Sequence, residues 1–257
     1  MVRSLLIRGM LVGILAGLLA FGFARVFGEP QVDLAIAFEE GHSHAAQAAP
    51  AAGGMAMQHA AGEQPEEELV SRDVQGSYGL LTGAVLYGAA LGGLFALAFA
   101  FAQGRLGPLS PRATAGLIAL GGFTAIVLMP QLKYPANPPA VGDAQTIGPR
   151  TALYFAMMAV SVLALVAAAG TAGRLTLRFG RWNATLLAAA AYVAAVSLAM
   201  LVLPAVDEVP PGFSAALLWK FRLASLGMHA VLWATLGIAF GIAADRLMIP
   251  PRRVLAA

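Results

Sequence analysis

The stretch MPQLKYPANPPAVGDAQTIGPR, Met129 to Arg150, lies in the middle of the 257-residue chain and decides how the rest is read. Pro130, Pro135, Pro138, Pro139 and Pro149 fix φ and remove backbone donors, so none of this stretch is expected in a helix interior. Apolar runs of about 20 residues, the length that crosses a bilayer, abut both its ends. Irregular backbone is tolerated only at the water boundary or in a protein-lined cavity, because hydrocarbon offers peptide groups no partners. Residues 130–150 are therefore expected to form a stiff link at a membrane surface, with Lys133, Asn137 and Asp143 as polar handles.

The composition outside this link agrees. The chain is 59% hydrophobic and 11% charged, with a mean hydropathy of +0.77, well beyond a soluble domain. The expected fold is all-α, a polytopic transmembrane helical bundle forming a single membrane domain over 1–257. With no cysteine there are no disulfides, thiolate metal sites or thiol nucleophiles. The pI near 9.6 does not point to nucleic acid, because the basic residues sit at the ends of apolar runs; the partner they imply is the lipid bilayer.

Six stretches can each cross roughly 30 Å of hydrocarbon: Leu5 to Val26, Leu80 to Ala102, Ala113 to Leu132, Thr151 to Ala172, Ala184 to Val206 and Leu223 to Ala244. An even number puts both termini on one side. If that side is the cytoplasm, it carries Arg3, Arg8, Arg105, Arg112, Arg174, Arg178, Arg181, Arg246, Arg252 and Arg253, and every acid except Asp245 lies outside. The positive-inside rule then predicts an N-in/C-in protein of the cytoplasmic membrane.

Arg3 and Arg8 before an apolar core also fit a cleaved signal peptide. The length of that core and the poor cleavage pattern favour a retained helix, and Gly9, Gly13 and Gly17 form a stripe suited to close helix packing. High glycine and alanine content would also produce such a stripe. A duplicated hairpin is a further expectation: Thr82 to Leu106 and Thr151 to Leu175 are both 25 residues long and end in GRL, with a proline pattern recurring beyond each following span. Alanine- and leucine-rich membrane sequence makes such matches by chance as well.

Residues 27–79 read as an extracytoplasmic loop rich in His, Met and acids. His42, His44 and His59, with Met55 and Met57, lie among Glu39, Glu40, Glu63, Glu66, Glu67, Glu68 and Asp73. Imidazole and carboxylate suit Co²⁺, Ni²⁺, Zn²⁺ and Cu²⁺, and thioethers favour Cu⁺, so the loop is either a collector of metal or a solvated linker. Asp143, Asp207 and Glu208 are candidate oxygen ligands at an outer vestibule. His229 in the last span is a titratable group at membrane depth, either a stop for metal or a histidine bonded to a neighbouring helix. No ATP-binding loop, zinc-protease motif, hydrolase elbow or haem-holding histidine pair is present, so no enzyme is expected.

KYPANPPAVGD (Lys133 to Asp143), TIG (Thr146 to Gly148) and RTALYF (Arg150 to Phe155) together resemble the signature of the bacterial membrane family CbtA. The resemblance extends over essentially the whole chain, including the segment Pro204, Asp207, Glu208. It implies cobalt uptake for cobalamin synthesis, Co²⁺ as the bound or transported ion, and a small single-span companion, CbtB. Lys133, Tyr134, Asn137, Asp143 and Arg150 are the motif positions it marks. Copper or nickel handling, and a non-transporting subunit or scaffold, are the alternatives.

Overall fold

The computed structural model describes residues 1–48 and 70–248, with backbone alone for 43–48. Among the described residues there are helices and connecting turns only. Five continuous helical stretches are long and apolar enough to cross a membrane: Val2–His42, Arg72–Ala102, Pro111–Lys133, Ala144–Val202 and Ala215–Met248. The fourth is folded in two. Its helix α7 (Ile147–Val202) leaves helical geometry at Gly180, where φ is 75°. Ser161 and Tyr192 hydrogen bond across the bend at 2.9 Å, although 31 residues of straight helix would hold them roughly 46 Å apart. Divided at this bend, the described residues give six helical segments long enough to cross a membrane, in line with the six expected spans.

Helix α1 (Val2–Phe23) and helix α4 (Leu80–Ala102) run antiparallel in the closest contact of the bundle. Gly9, Gly13 and Gly17 face Gly92, Gly88 and Ala84 in register, so that a Cβ on Gly13 would lie 2.8 Å from the Gly88 carbonyl carbon and 3.0 Å from Gly92 Cα. Lipid chains are as apolar as leucine, so backbone approach and dispersion hold such helices together. The glycine stripe is therefore a packing surface. A second layer consists of α5 (Pro111–Gly122), α8 (Ala215–Thr235) and α9 (Gly241–Met248); Phe240, in the π-turn between α8 and α9, joins it to α4 by edge-to-face contact with Phe95 and Phe99 at 5.3 and 5.1 Å. Ser110 and Ser214 cap α5 and α8, their hydroxyls accepting from Ala113 and Leu217 backbone N–H groups.

The two hairpins that match in sequence pack differently. The arms of 147–202 lie against each other along Met157, Ala168, Ala188, Tyr192 and Val196, whereas α4 of the other hairpin gives its main face to α1.

Two local expectations are corrected. Pro130 lies inside helical structure: α6 (Met129–Lys133) continues the third span through it. The preceding turn, Phe123–Leu128, is widened to a π-helix, which relieves the clash and missing bond that proline imposes on a regular helix. The 27–79 segment also begins as helix. After a π-turn at Ala24–Gly28, the first span runs on as α2 (Glu29–Ala48). Arg72 fixes its base, with Nη2 2.6 Å from Glu29 Oε2 and 3.2 Å from Asp33 Oδ1.

Charge is segregated by face. At one end Arg8 donates to the Ala243 carbonyl (2.6 Å) and Arg112 pairs with Asp245 (2.8 Å). The opposite end gathers α2, the proline-rich link and residues 203–214, with Phe38 of α2 edge-on to Phe213 and Ala35 buried beside Val141.

Candidate functional site

The acid-bearing end contains a cleft of about 410 Å³, whose wall includes Tyr134, Asn137, Arg150, Asp207, Glu208 and Arg222. Sequence elements more than 70 residues apart converge here because the proline-rich link is short of backbone donors and must be tied by side chains. Tyr134 at the end of α6 is buried and donates its hydroxyl to the Pro204 carbonyl at 2.7 Å, which joins the link to the 203–214 loop. Lys133 lies 5.9 Å from the Tyr134 ring.

Glu208 is the knot between the two loops. Its Oε2 accepts from the Asp143 backbone N–H (2.9 Å) and the Thr146 hydroxyl (2.9 Å) and lies 3.3 Å from Arg150 Nε. The Asp143 N–H, then the Thr146 hydroxyl, hold its carboxyl below the usual carboxylate value against a smaller opposing effect of burial, and Arg150 adds the least. Arg150 also donates to the Asp143 carbonyl at 3.0 Å. Its guanidinium fills the space beside Gly142, where a Cβ would come within 2.7 Å of Cζ. Gly142 has φ 118°, a backbone that side chains rarely adopt, so glycine is required there twice over. Asp143 caps the short 3₁₀ turn Ala144–Thr146, its Oδ1 accepting from Gln145 N–H at 2.8 Å.

Asp207 lies on the same wall, exposed, with no hydrogen bond or ion pair among the described residues. Arg222, at the start of the last span, donates from Nη2 to Asn137 Oδ1 (2.9 Å) and from Nε to the Ala136 carbonyl (3.3 Å). In the sequence it closes the run Trp219, Lys220, Phe221, Arg222 ahead of the last apolar stretch, the composition of an interfacial anchor. Nothing in its local context distinguishes such an anchor from a cleft residue, apart from its placement two turns before His229 on one helix face.

The structure therefore brings Tyr134, Asn137, Arg150, Asp207 and Glu208 to one cleft, with Asp143 bonded to Glu208 and Lys133 beside the Tyr134 ring. His229 lies outside it. Its Nδ1 is 2.8 Å from the Ser225 carbonyl of its own helix. His42 is exposed on α2, bonded to the Phe38 carbonyl (3.0 Å) and stacked on the Phe38 ring. His44 is placed in α2 by its backbone; Met55, Met57 and His59 lie outside the described residues. Among the described residues no three His, Asp or Glu side chains converge as metal ligands. The cleft volume exceeds that of a hydrated divalent ion, about six waters of roughly 30 Å³ each.

A family model described as "Probable cobalt transporter subunit (CbtA)" matches residues 2–245. Comparison with curated proteins and with solved structures gives no match.

Proposed function

The chain belongs to the CbtA family, a multi-pass membrane family of probable cobalt transporter subunits, and from that premise we propose that it admits divalent metal, cobalt first, from outside to cytoplasm. The observation that carries this reading is the convergence of the family motif with Asp207 and Glu208 on one cleft at the acid-bearing end of the bundle. With that end outside, the arginine-rich end is cytoplasmic, as the positive-inside rule requires, and both termini are inside. Acids on the outer face raise the local concentration of cations, Asp207 supplies a carboxylate not used by the loops, and His42 with its neighbours gathers metal above it. Glu208 serves as a structural knot. A membrane potential of 100 mV favours entry of a divalent cation by roughly 4.6 kcal/mol, roughly 2,000-fold in concentration, so no nucleotide is needed. Uptake would serve cobalamin synthesis, and a single-span companion of the CbtB kind would be its partner. The test is uptake of radioactive cobalt into cells lacking other importers. Gene-dependent accumulation is expected, and equal uptake with and without the protein would end the proposal.

One observation favours a second reading, a non-transporting subunit: the described residues form no three-ligand metal site. In that case the purified protein would pass no cobalt in vesicles, and removal of a partner would abolish cellular uptake.

A further inference from the structure

Three features of the cleft disagree with a free cation as its occupant. The first is charge. Arg150 is taken up by Glu208 and the Asp143 carbonyl, which leaves Arg222 and Asp207 as charged groups of the wall with no ion-pair contact among the described residues. Arg222 is half-buried, and its tethers, the Ala136 carbonyl on Nε and the Asn137 amide oxygen on Nη2, are both neutral. A fixed guanidinium repels a free divalent ion, and does so more strongly than it repels a monovalent one. Withdrawing such a cation from water without a counter-charge is costly, so its place in the wall is best explained by an anionic group that visits it.

The second feature is ligand count. Asp207 is the wall carboxylate that the loops leave free, and among the described residues no three His, Asp or Glu side chains converge as metal ligands. A divalent ion bound by oxygen takes about six ligands, so nearly all of them have to arrive with the ion. The third is size: about 410 Å³ lies within the range of small-molecule sites, roughly 300–1,000 Å³. A metal that carries its own anionic ligands satisfies all three. Carboxylates are the fitting class, because their oxygens suit divalent ions and pair with a planar guanidinium, and neither tether of Arg222 uses Nη1.

We propose that the cleft receives divalent metal as the chelate of a small polycarboxylate, with a chelator carboxylate on the Arg222 guanidinium and an open coordination position of the metal toward Asp207. The metal half of this inference rests on the transport reading, and the carboxylate half rests on Arg222. A one-to-one complex of a divalent ion with a tricarboxylate is net negative. Arg222 therefore attracts the complex and repels the free ion, and the two forms of the metal respond to this residue with opposite sign.

The test is equilibrium dialysis of the full chain in detergent, with radioactive cobalt and radioactive citrate as separate labels. The native protein is expected to retain citrate only when cobalt is present, in equal amounts. Arg222→Gln should weaken retention of the cobalt–citrate complex about tenfold or more, as loss of a charge-assisted hydrogen bond does, and should strengthen retention of cobalt supplied without citrate. Asp207→Asn should weaken both. Citrate that merely strips cobalt from the native protein, citrate retained equally without cobalt, or an Arg222→Gln protein that loses both forms alike would overturn the proposal. If Arg222→Gln does not fold, Asn137→Ala, which frees the guanidinium, takes its place: severalfold weaker retention of the complex is expected, and unchanged retention overturns the site. Native protein that retains the complex, in cells that accumulate no cobalt, would count against the transport reading and leave the chelate site standing; gene-dependent cobalt uptake without citrate retention would do the reverse.

Discussion

Gly142→Ala is the substitution with the most closely worked consequence. The residue sits at φ 118°, and its missing Cβ would fall 2.7 Å from Arg150 Cζ and 2.8 Å from Nη2. Two costs follow. Forcing alanine into a left-handed conformation costs about 1–2 kcal/mol. Evicting Arg150 loses its bond to the Asp143 carbonyl, about 1 kcal/mol for a guanidinium that is 23% exposed, and moves it away from Glu208. The sum, about 2–3 kcal/mol, corresponds to a fall in melting temperature of roughly 5 °C or more for a chain of this size. The assay is thermal unfolding in detergent beside Gly148→Ala, whose Cβ meets nothing within 4 Å. In an Arg150→Ala background the Gly142→Ala cost should shrink to the backbone term alone, because the two residues share one interaction. A Gly142→Ala protein that melts with the native chain, or costs that add fully in the double variant, would refute the argument.

Three other outcomes are expected. Gly13→Ala should destabilise the bundle by about 1–3 kcal/mol, because the new methyl meets Gly88 backbone, while Gly22→Ala on the same helix has open space and should be near neutral; equal melting would contradict the packing. Glu208 has a depressed native pKa, so its contribution to stability is full above the usual carboxylate value, declines below it, and is gone once pH passes the depressed value. Melting curves against pH should show that acid limb, and Glu208→Gln should remove it. Tyr192→Phe, which deletes the 2.9 Å bond to Ser161 inside the second hairpin, should cost about 0.6 kcal/mol, as interhelical bonds in lipid do; a loss of several kcal/mol would mean the pair does more than clasp the arms.

The architecture was legible in the sequence because lipid allows few choices. Apolar length gave the six membrane-length helical segments, and Gly9, Gly13 and Gly17 gave the stripe on which α1 meets α4. What the pattern could not show was backbone accommodation: the widened turn at Phe123–Leu128 lets the helix pass through Pro130, and α2 extends the first span into residues that composition alone marks as loop. For the site, the motif and the pair Asp207 and Glu208 were visible as residues, and the structure places them in one cleft. Their division of labour was not visible. Whether a carboxylate is occupied depends on partners distant in sequence, and Glu208 is tied to Asp143, Thr146 and Arg150 while Asp207 is not. Arg222 and Gly142 were missed for the same reason, since their importance comes from the neighbours that the fold supplies.

The account depends on the cleft between the proline-rich link and residues 203–214 being where metal first meets the bundle. Anomalous scattering at the cobalt edge from crystals of the full chain soaked in Co²⁺ tests this most directly. A peak within the cleft beside Asp207, weakened by Asp207→Asn, is the predicted result. Peaks confined to the histidines of residues 42–59, or none at all, would contradict it.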